Sequence, residues 1–316
     1  MTTEGREVVR VDGLVKDFRP GLGLRAKRIL HGITFSVREN EIFGFVGPNG
    51  AGKTTTLKTL MGLIQPTAGS ASILGHDIRE SGFRQHVGFL PEVSYFYDYL
   101  TGAEFLDFYA RLSSVPRAER PARIEKLLGW VGLSHASDAR LRTYSKGMLQ
   151  RVGIAQALIH DPQVVFLDEP MSGLDPLGRK EIRDLILRLK RDGKTVFMNT
   201  HILSDVEMVC DRVAIIVKGE IRYEGRIEDF ISEENQRADV VLAGMPVELG
   251  PQLEDRFGAE LRGHGQQVEA RVPEKQVNDV LQTAIGAGAT VVSVSPVRVS
   301  LESIFLKTVE QSEEER

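Results

Sequence analysis

Gly47-Pro-Asn-Gly50-Ala-Gly52-Lys53-Thr54 decides how this chain is read. It fits the pattern G-x-x-x-x-G-K-[ST], in which glycines let the backbone curl until its N–H groups point inward at phosphate oxygens. The helix that such a loop opens presents the positive end of its dipole to the same phosphates. The pattern sends Lys53 to the β- and γ-phosphates and the Thr54 hydroxyl to Mg²⁺, with Gly47, Pro48, Asn49, Gly50, Ala51, Gly52 and Thr55 lining the nucleotide. The flanks agree with this reading: Glu41–Val46 reads as a buried strand and Thr54–Leu63 as a helix. A chance match in a glycine-rich turn would lack that context.

Further along, Val164-Val-Phe-Leu-Asp168-Glu169 is an apolar strand that ends in two carboxylates. Ligands of parallel sheets bind at that end of the strands. Asp168 suits Mg²⁺, and Glu169, one residue further out, suits a general base that orients water. Alone, the pair reads equally as surface acids at a strand end. Between the two motifs lies Tyr144-Ser145-Lys146-Gly147-Met148. Ser145 is a good N-cap for a helix running to about His160. This helix N-terminus is either a cap and nothing more or a second phosphate site, and one nucleotide does not need two.

Around these motifs the chain alternates strands and helices. Val8–Leu14, Ile33–Val37, Ser70–Leu74, Thr195–Met198 and Val213–Val217 read as strands, and Leu177–Lys190 as a helix. Residues 93–160 read as mainly helical, with Thr101 and Glu104 forming a capping box before the apolar face Phe105, Phe108, Tyr109 and Leu112. The pattern predicts an α/β parallel core with a helical insertion. Past about residue 230 the texture changes. Strands are expected at Asp239–Leu242, Val268–Val272 and Thr290–Val294, and helices at Pro251–Phe257, Glu274–Ala287 and Leu301–Val309. That is a small α+β module over residues 231–310, followed by an acidic tail, 311–316.

Composition excludes several classes. The 316 residues hold 40 Lys and Arg against 44 Asp and Glu, a formal net charge of −4, which carries no nucleic-acid footprint. Residues 1–230 hold 32 basic against 29 acidic side chains, and residues 231–316 hold 8 against 15. The single cysteine, Cys210, excludes a disulfide scaffold and a cysteine zinc site. The N-terminus is too polar for a signal peptide, and the longest aliphatic runs have five residues, where a membrane span needs about 20. A cytosolic protein is expected, held at a membrane only by a partner.

The order of motifs resembles the nucleotide-binding subunit of ABC transporters over about residues 8–230. After the phosphate loop come a helical insertion, Ser145-x-Gly147, the Asp168-Glu169 strand, Ser172-Gly-Leu-Asp175, and His201 after Asn199-Thr200. The resemblance implies a P-loop NTPase core with an antiparallel β subdomain and a helical subdomain. It implies that Phe18 stacks on adenine, that Ser145 and Gly147 touch a γ-phosphate, that Ser172–Asp175 is the D-loop with Asp175 at the nucleotide, and that His201 contacts the γ-phosphate. It further implies ATP and Mg²⁺, a head-to-tail homodimer in which each signature faces the other copy's loop, and a separate membrane permease. Tyr144, Lys146 and Met148 depart from the usual Leu, Gly and Gln of the signature. Glu92 stands where the family carries glutamine; a carboxylate there can ligate Mg²⁺ or its water. Glu92 and the C-terminal module with Leu301-Glu-Ser-Ile-Phe305 are similar to export ATPases, which sets import as the alternative direction. A soluble ATPase of DNA repair or translation usually has two cassettes, a coiled coil or zinc cysteines. Here one cassette has Ser145 only 92 positions after Lys53. A small-molecule kinase has no use for the signature.

Two surface segments complete the reading. Residues 95–109 hold seven of the 21 aromatics. Tyr95, Phe96, Tyr97 and Tyr99 precede the helix and are expected to line a groove for a permease helix, or else to cap the helical subdomain. Arg19–Arg28 is a basic excursion that suits a solvated loop better than a lipid contact.

Overall fold

The computed structural model describes residues 5–18, 26–93, 95–230, 237–264, 267–297, 301 and 305. The chain divides into two compact units, Met1–Gly225 and Arg226–Arg316. In chain order the first comprises β1 (Glu7–Phe18), β2 (Lys27–Arg38), β3 (Ile42–Val46), α1 (Lys53–Leu60), β4 (Ala68–Ile73), β5 (His76–Asp77) and β6 (Val87–Leu90). There follow α2 (Gly102–Leu112), α3 (Arg120–Trp130), α4 (Lys146–Ala157), β7 (Val164–Asp168), α5 (Pro176–Arg191), β8 (Thr195–Thr200), α6 (Leu203–Val209), β9 (Arg212–Val217) and β10 (Glu220–Arg226).

The central sheet has six strands in the order β10-β9-β3-β8-β7-β6. Its inner strands run parallel. Every residue of β3, β7, β8 and β9 is buried, as expected when helices cover a parallel sheet. The crossing order puts the C-terminal ends of β3, β7 and β8 side by side, so the loops after Val46, Asp168 and Thr200 share one rim. A second, antiparallel sheet, β2-β1-β4-β5, packs through Leu14, Leu30, Phe35 and Ile73 into the same apolar cluster as Phe43, Phe45, Phe166 and Phe197 of the central sheet. Ring centroids of Phe35, Phe45 and Phe197 lie 5.2–6.1 Å apart. Burying each of these phenylalanines stabilises the fold by about 1.5–3 kcal/mol. That cluster fixes the antiparallel sheet against the rim where the phosphate loop emerges.

The helical subdomain of α2, α3 and α4 begins with the expected capping box. Thr101 Oγ1 accepts from Glu104 N at 3.2 Å, and Glu104 Oε2 accepts from Thr101 N at 2.9 Å. Phe96 stands apart from the exposed Tyr95, Tyr97 and Tyr99 and fits the alternative expectation, a cap of the subdomain. It is half-buried, with its ring 5.4 Å from that of Phe105, inside the subdomain. Tyr144, the unusual first signature residue, is buried and donates to Ala136 O at 2.6 Å. Room for it comes from Gly102, where an added Cβ would stand 2.3 Å from the Tyr144 hydroxyl. Gly102→Ala therefore overpacks this site and is expected to cost about 1–3 kcal/mol. An unchanged denaturant midpoint would contradict the packing argument.

The second unit comprises α7 (Ile227–Phe230), β11 (Arg237–Ala243), α8 (Leu249–Phe257), β12 (Glu260–His264), β13 (Gln267–Pro273), α9 (Val277–Gly286) and β14 (Thr290–Val297). Its antiparallel sheet, β12-β13-β11-β14, carries a core of Val240, Leu242, Leu253, Phe257, Ala270, Val272, Val280 and Ala284. Of the helix expected at Leu301–Val309, Leu301 and Phe305 are described and both are helical. The tail 311–316 lies outside the described residues. So do residues 19–25 of the basic excursion, whose remaining Lys27 and Arg28 belong to β2 rather than a loop. Arg28 Nε bonds Asp17 Oδ1 across the strand pair at 2.8 Å. Among the described residues no helix is long and apolar enough to cross a membrane.

Candidate functional site

A cavity of about 570 Å³ opens at the rim of the central sheet. It is lined by Phe18, Lys27, Ile29, Asn49, Gly50, Gly52, Lys53, Thr54, Thr55, Glu92, Glu169 and His201. Ten of these twelve are residues the sequence singled out; Lys27 and Ile29 are not. β2 pairs with β1, setting Lys27 opposite Phe18, and carries these two side chains to the same wall. Only that tertiary pairing, which no local pattern encodes, could have found them.

The loop 47–54 is shaped by close approach. A Cβ at Gly47 would stand 2.2 Å from Ile216 O. Gly52 holds φ at 111°, and a Cβ there would meet Leu30 Cδ2 at 2.7 Å. Gly47 and Ala51 are therefore framework, wedged against β9. Gly52 is the N-cap of α1 and makes no side-chain cap bond. The first N–H groups of α1 are thus left for an anion rather than a capping oxygen. Lys53 is only 7% exposed, and its Nζ donates to Gly47 O at 2.7 Å and Pro48 O at 3.4 Å. Burial pulls its pKa down, and the charges of Glu169, Asp168 and Glu92 push it back up. Thr54 and Thr55 stand half-buried at the cavity wall.

Opposite the loop lie the two acids at the end of β7. Asp168 is buried behind the cavity, and its pKa is raised to about 6, chiefly by burial, with Glu92 and Glu169 adding to it and Asn199 opposing it. Glu169 holds φ at 50°, a left-handed conformation that costs about 1–3 kcal/mol in a non-glycine residue. It persists because Glu169 N donates to Asn199 O at 2.8 Å while Glu169 O accepts from Ser172 N at 3.1 Å. The result turns the carboxylate out of the strand and into the cavity. Its Oε1 takes a hydrogen bond from His201 Nδ1 at 2.8 Å, and its Oε2 takes one from Thr200 Oγ1 at 3.3 Å. A carboxylate accepts, so Nδ1 is the donor of this pair and Nε2 is the ring nitrogen it does not use.

The remaining expected site residues lie elsewhere. Ser145 is exposed and N-caps α4 through Met148 N at 3.2 Å. Asp175 is exposed and N-caps α5 through Gly178 N at 2.9 Å. Neither these two nor Gly147 lines the cavity of its own chain. Lys146 reaches over the intervening turn, where a Cβ on Gly173 would stand 2.0 Å from its Nζ.

The residues present fit a divalent cation bound together with phosphate. Asp168 is a buried carboxylate facing a basic loop, Thr54 presents a hydroxyl, and Glu92 adds a carboxylate at the wall. Among the described residues no group of three His, Cys, Asp or Glu is placed to hold a metal. The two carboxylates, Asp168 and Glu92, suit Mg²⁺, which usually takes one or two and completes its shell with water and phosphate oxygens.

Residues 30–172 match the ABC transporter family model. The chain is 42% identical over 307 residues to the ABC transporter ATP-binding protein sll0415 of Synechocystis sp., covering 96% of this chain and 85% of that one. It is 40% identical over 219 residues to the fluoroquinolones export ATP-binding protein MT2762 of Mycobacterium tuberculosis, covering 69% of this chain and 70% of that one. Among solved structures it is similar to the dimeric, post-hydrolysis ATP-binding cassette MJ0796 bound to ADP and Pi. The TM-score is 0.63 at 25% identity, covering 69% of this chain and 98% of that one. The chain belongs to the ATP-binding subunits of ABC transporters.

Proposed function

We propose that this chain binds and hydrolyses MgATP to drive a separate membrane permease, and that the direction of transport is export. The observation that carries the ATPase reading is the meeting of Phe18, Lys53, Thr54, Glu92, Glu169 and His201 around one cavity. Phe18 takes adenine on its half-exposed ring. The loop amides and Lys53 hold the phosphates, so Lys53 exchanges its bonds to Gly47 and Pro48 for phosphate oxygens. When bound, Mg²⁺, held by Thr54, Asp168 and Glu92, neutralises charge on the phosphates. Glu169 orients the attacking water and accepts its proton, and His201, protonated on both ring nitrogens, donates Nε2–H to the γ-phosphate. Catalysis is then positioning and charge stabilisation, as phosphoryl transfer demands.

Ser145, Gly147 and Asp175 serve a second copy. They lie at the N-terminal ends of two helices, Ser145 and Asp175 exposed and Gly147 half-buried, none lining its own chain's cavity, and the related cassette MJ0796 is dimeric with ADP and Pi bound. A two-fold arrangement uses both faces at once and gives two composite sites. Loss of the γ-phosphate contacts on hydrolysis then loosens the pair. The permease holds the chain at the cytoplasmic face of the membrane. Export is supported by Glu92 and by the relative named for fluoroquinolone export.

The segment after Glu92 suits the permease contact. Tyr95 is 89% and Tyr99 63% exposed, and Tyr97 rests edge-on against Phe108 with centroids 5.3 Å apart. Aromatic side chains are enriched at interfaces. Replacing Tyr97 and Tyr99 with Ala is expected to leave ATP hydrolysis by the isolated chain unchanged and to lower transport in cells. Transport at the wild-type level, with subunit association unchanged, would refute this contact.

A further inference from the structure

Three consecutive residues at the end of β8 and just after it hold the two acids of β7's end. His201 and Thr200 bond the Glu169 carboxylate. Asn199 holds both acids. Its backbone oxygen accepts from Glu169 N at 2.8 Å, and its Nδ2 donates to Asp168 Oδ1 at 2.6 Å. The parallel register sets Asp168 directly beside Asn199. The side chain is fully buried, directly after Val196, Phe197 and Met198, which are apolar and fully buried as well. Among the described residues its Oδ1 has no hydrogen-bond partner. Rotating the amide does not relieve this, because it would turn the oxygen against the Asp168 carboxylate, an acceptor only when ionised. A buried, unpaired carbonyl oxygen is costly, and an apolar residue would avoid the cost.

We infer that Asn199 is a positioning residue for the metal: its amide pins one oxygen of Asp168, and its own unpaired oxygen accepts from the hydration shell of the divalent cation. This rests on the MgATP reading above. Mg²⁺ dehydrates reluctantly and keeps several waters, so a neutral acceptor beside the ligand carboxylate adds to the site without adding charge. Outer-shell partners of this kind typically contribute 10–100-fold to metal affinity or activity.

The test uses Asn199→Leu, which keeps the branched shape and the number of heavy atoms while removing both polar atoms, and Asn199→Ser, which is smaller and keeps a hydroxyl. For each, binding of a fluorescent ATP analogue is measured in EDTA and across a Mg²⁺ titration. The inference predicts analogue binding in EDTA within about twofold of wild type, and half-saturation by Mg²⁺ shifted up by roughly 10–100-fold. A purely structural asparagine would weaken both alike, and that result overturns it. So does a Mg²⁺ half-saturation within twofold of wild type in both variants while Asp168→Asn shifts it. If Asp168→Asn leaves the Mg²⁺ dependence unchanged, the metal reading of the site fails first, and this inference falls with it.

Discussion

Glu169→Gln is expected to bind MgATP with near wild-type affinity, to lose hydrolysis by roughly 10²–10⁴-fold, the range a general base supplies, and to accumulate as a dimer. The carboxamide keeps the shape of the side chain and its place in the left-handed turn, so the change falls on chemistry rather than on the fold. It cannot accept a proton from water. The bond to His201 Nδ1, 2.8 Å in the native site, survives through the amide oxygen, so the histidine stays in place. With ATP uncleaved, the γ-phosphate contacts that join the two copies persist. Turnover at the wild-type rate would show that Glu169 is not the base, and the proposed role would pass to another group.

Lys53→Ala is expected to act a step earlier, on binding. The ammonium is buried, and its two present partners are carbonyl oxygens of the loop itself. Its removal leaves phosphate charge without its counter-charge, and deleting one member of such a pair costs about 2–5 kcal/mol. Every 1.4 kcal/mol is tenfold in the dissociation constant. The second effect is on the loop. Without Nζ bridging Gly47 O and Pro48 O, those carbonyls lose a donor, so a small fall in the melting temperature of the free protein accompanies the loss of affinity. Equilibrium binding of a fluorescent ATP analogue checks the first, and calorimetry the second. Affinity within twofold of wild type would remove Lys53 from the phosphate site.

The core of the site is legible because its chemistry is local. Curled glycines, a lysine and a hydroxyl must be consecutive to surround a phosphate, and a strand that ends in Asp168-Glu169 announces itself by its apolar run. Phe18 is different. An aromatic at a strand end says nothing by itself, and only resemblance to a family marks it. Lys27 and Ile29 escape even that, since they reach the cavity through the register of β1 on β2. Asn199 escapes for the opposite reason. In the run Val196–Thr200 it reads as one polar residue near a strand end, and its importance lies in facing Asp168 across a parallel pair. The strands β5, β6, β10 and β12 are missed because none is a long apolar or cleanly alternating run; Glu260–His264 carries Glu260 and Arg262 in five residues. Of the two expectations for residues 95–99, groove or cap of the helical subdomain, Phe96 fits the cap: it is half-buried against Phe105, because the helix beside these aromatics needs one of them for its own core.

The central claim is that ATP is hydrolysed at a site completed by a second copy of the chain. The most direct measurement is the specific Mg²⁺-dependent ATPase activity of the purified protein over a wide range of protein concentrations, at saturating ATP. Composite sites predict a specific activity that rises with concentration, steeply at the low end, toward a plateau, and that Ser145→Arg in the signature abolishes without impairing nucleotide binding. A specific activity independent of concentration down to the point where the protein is monomeric, retained in that variant, would contradict the account.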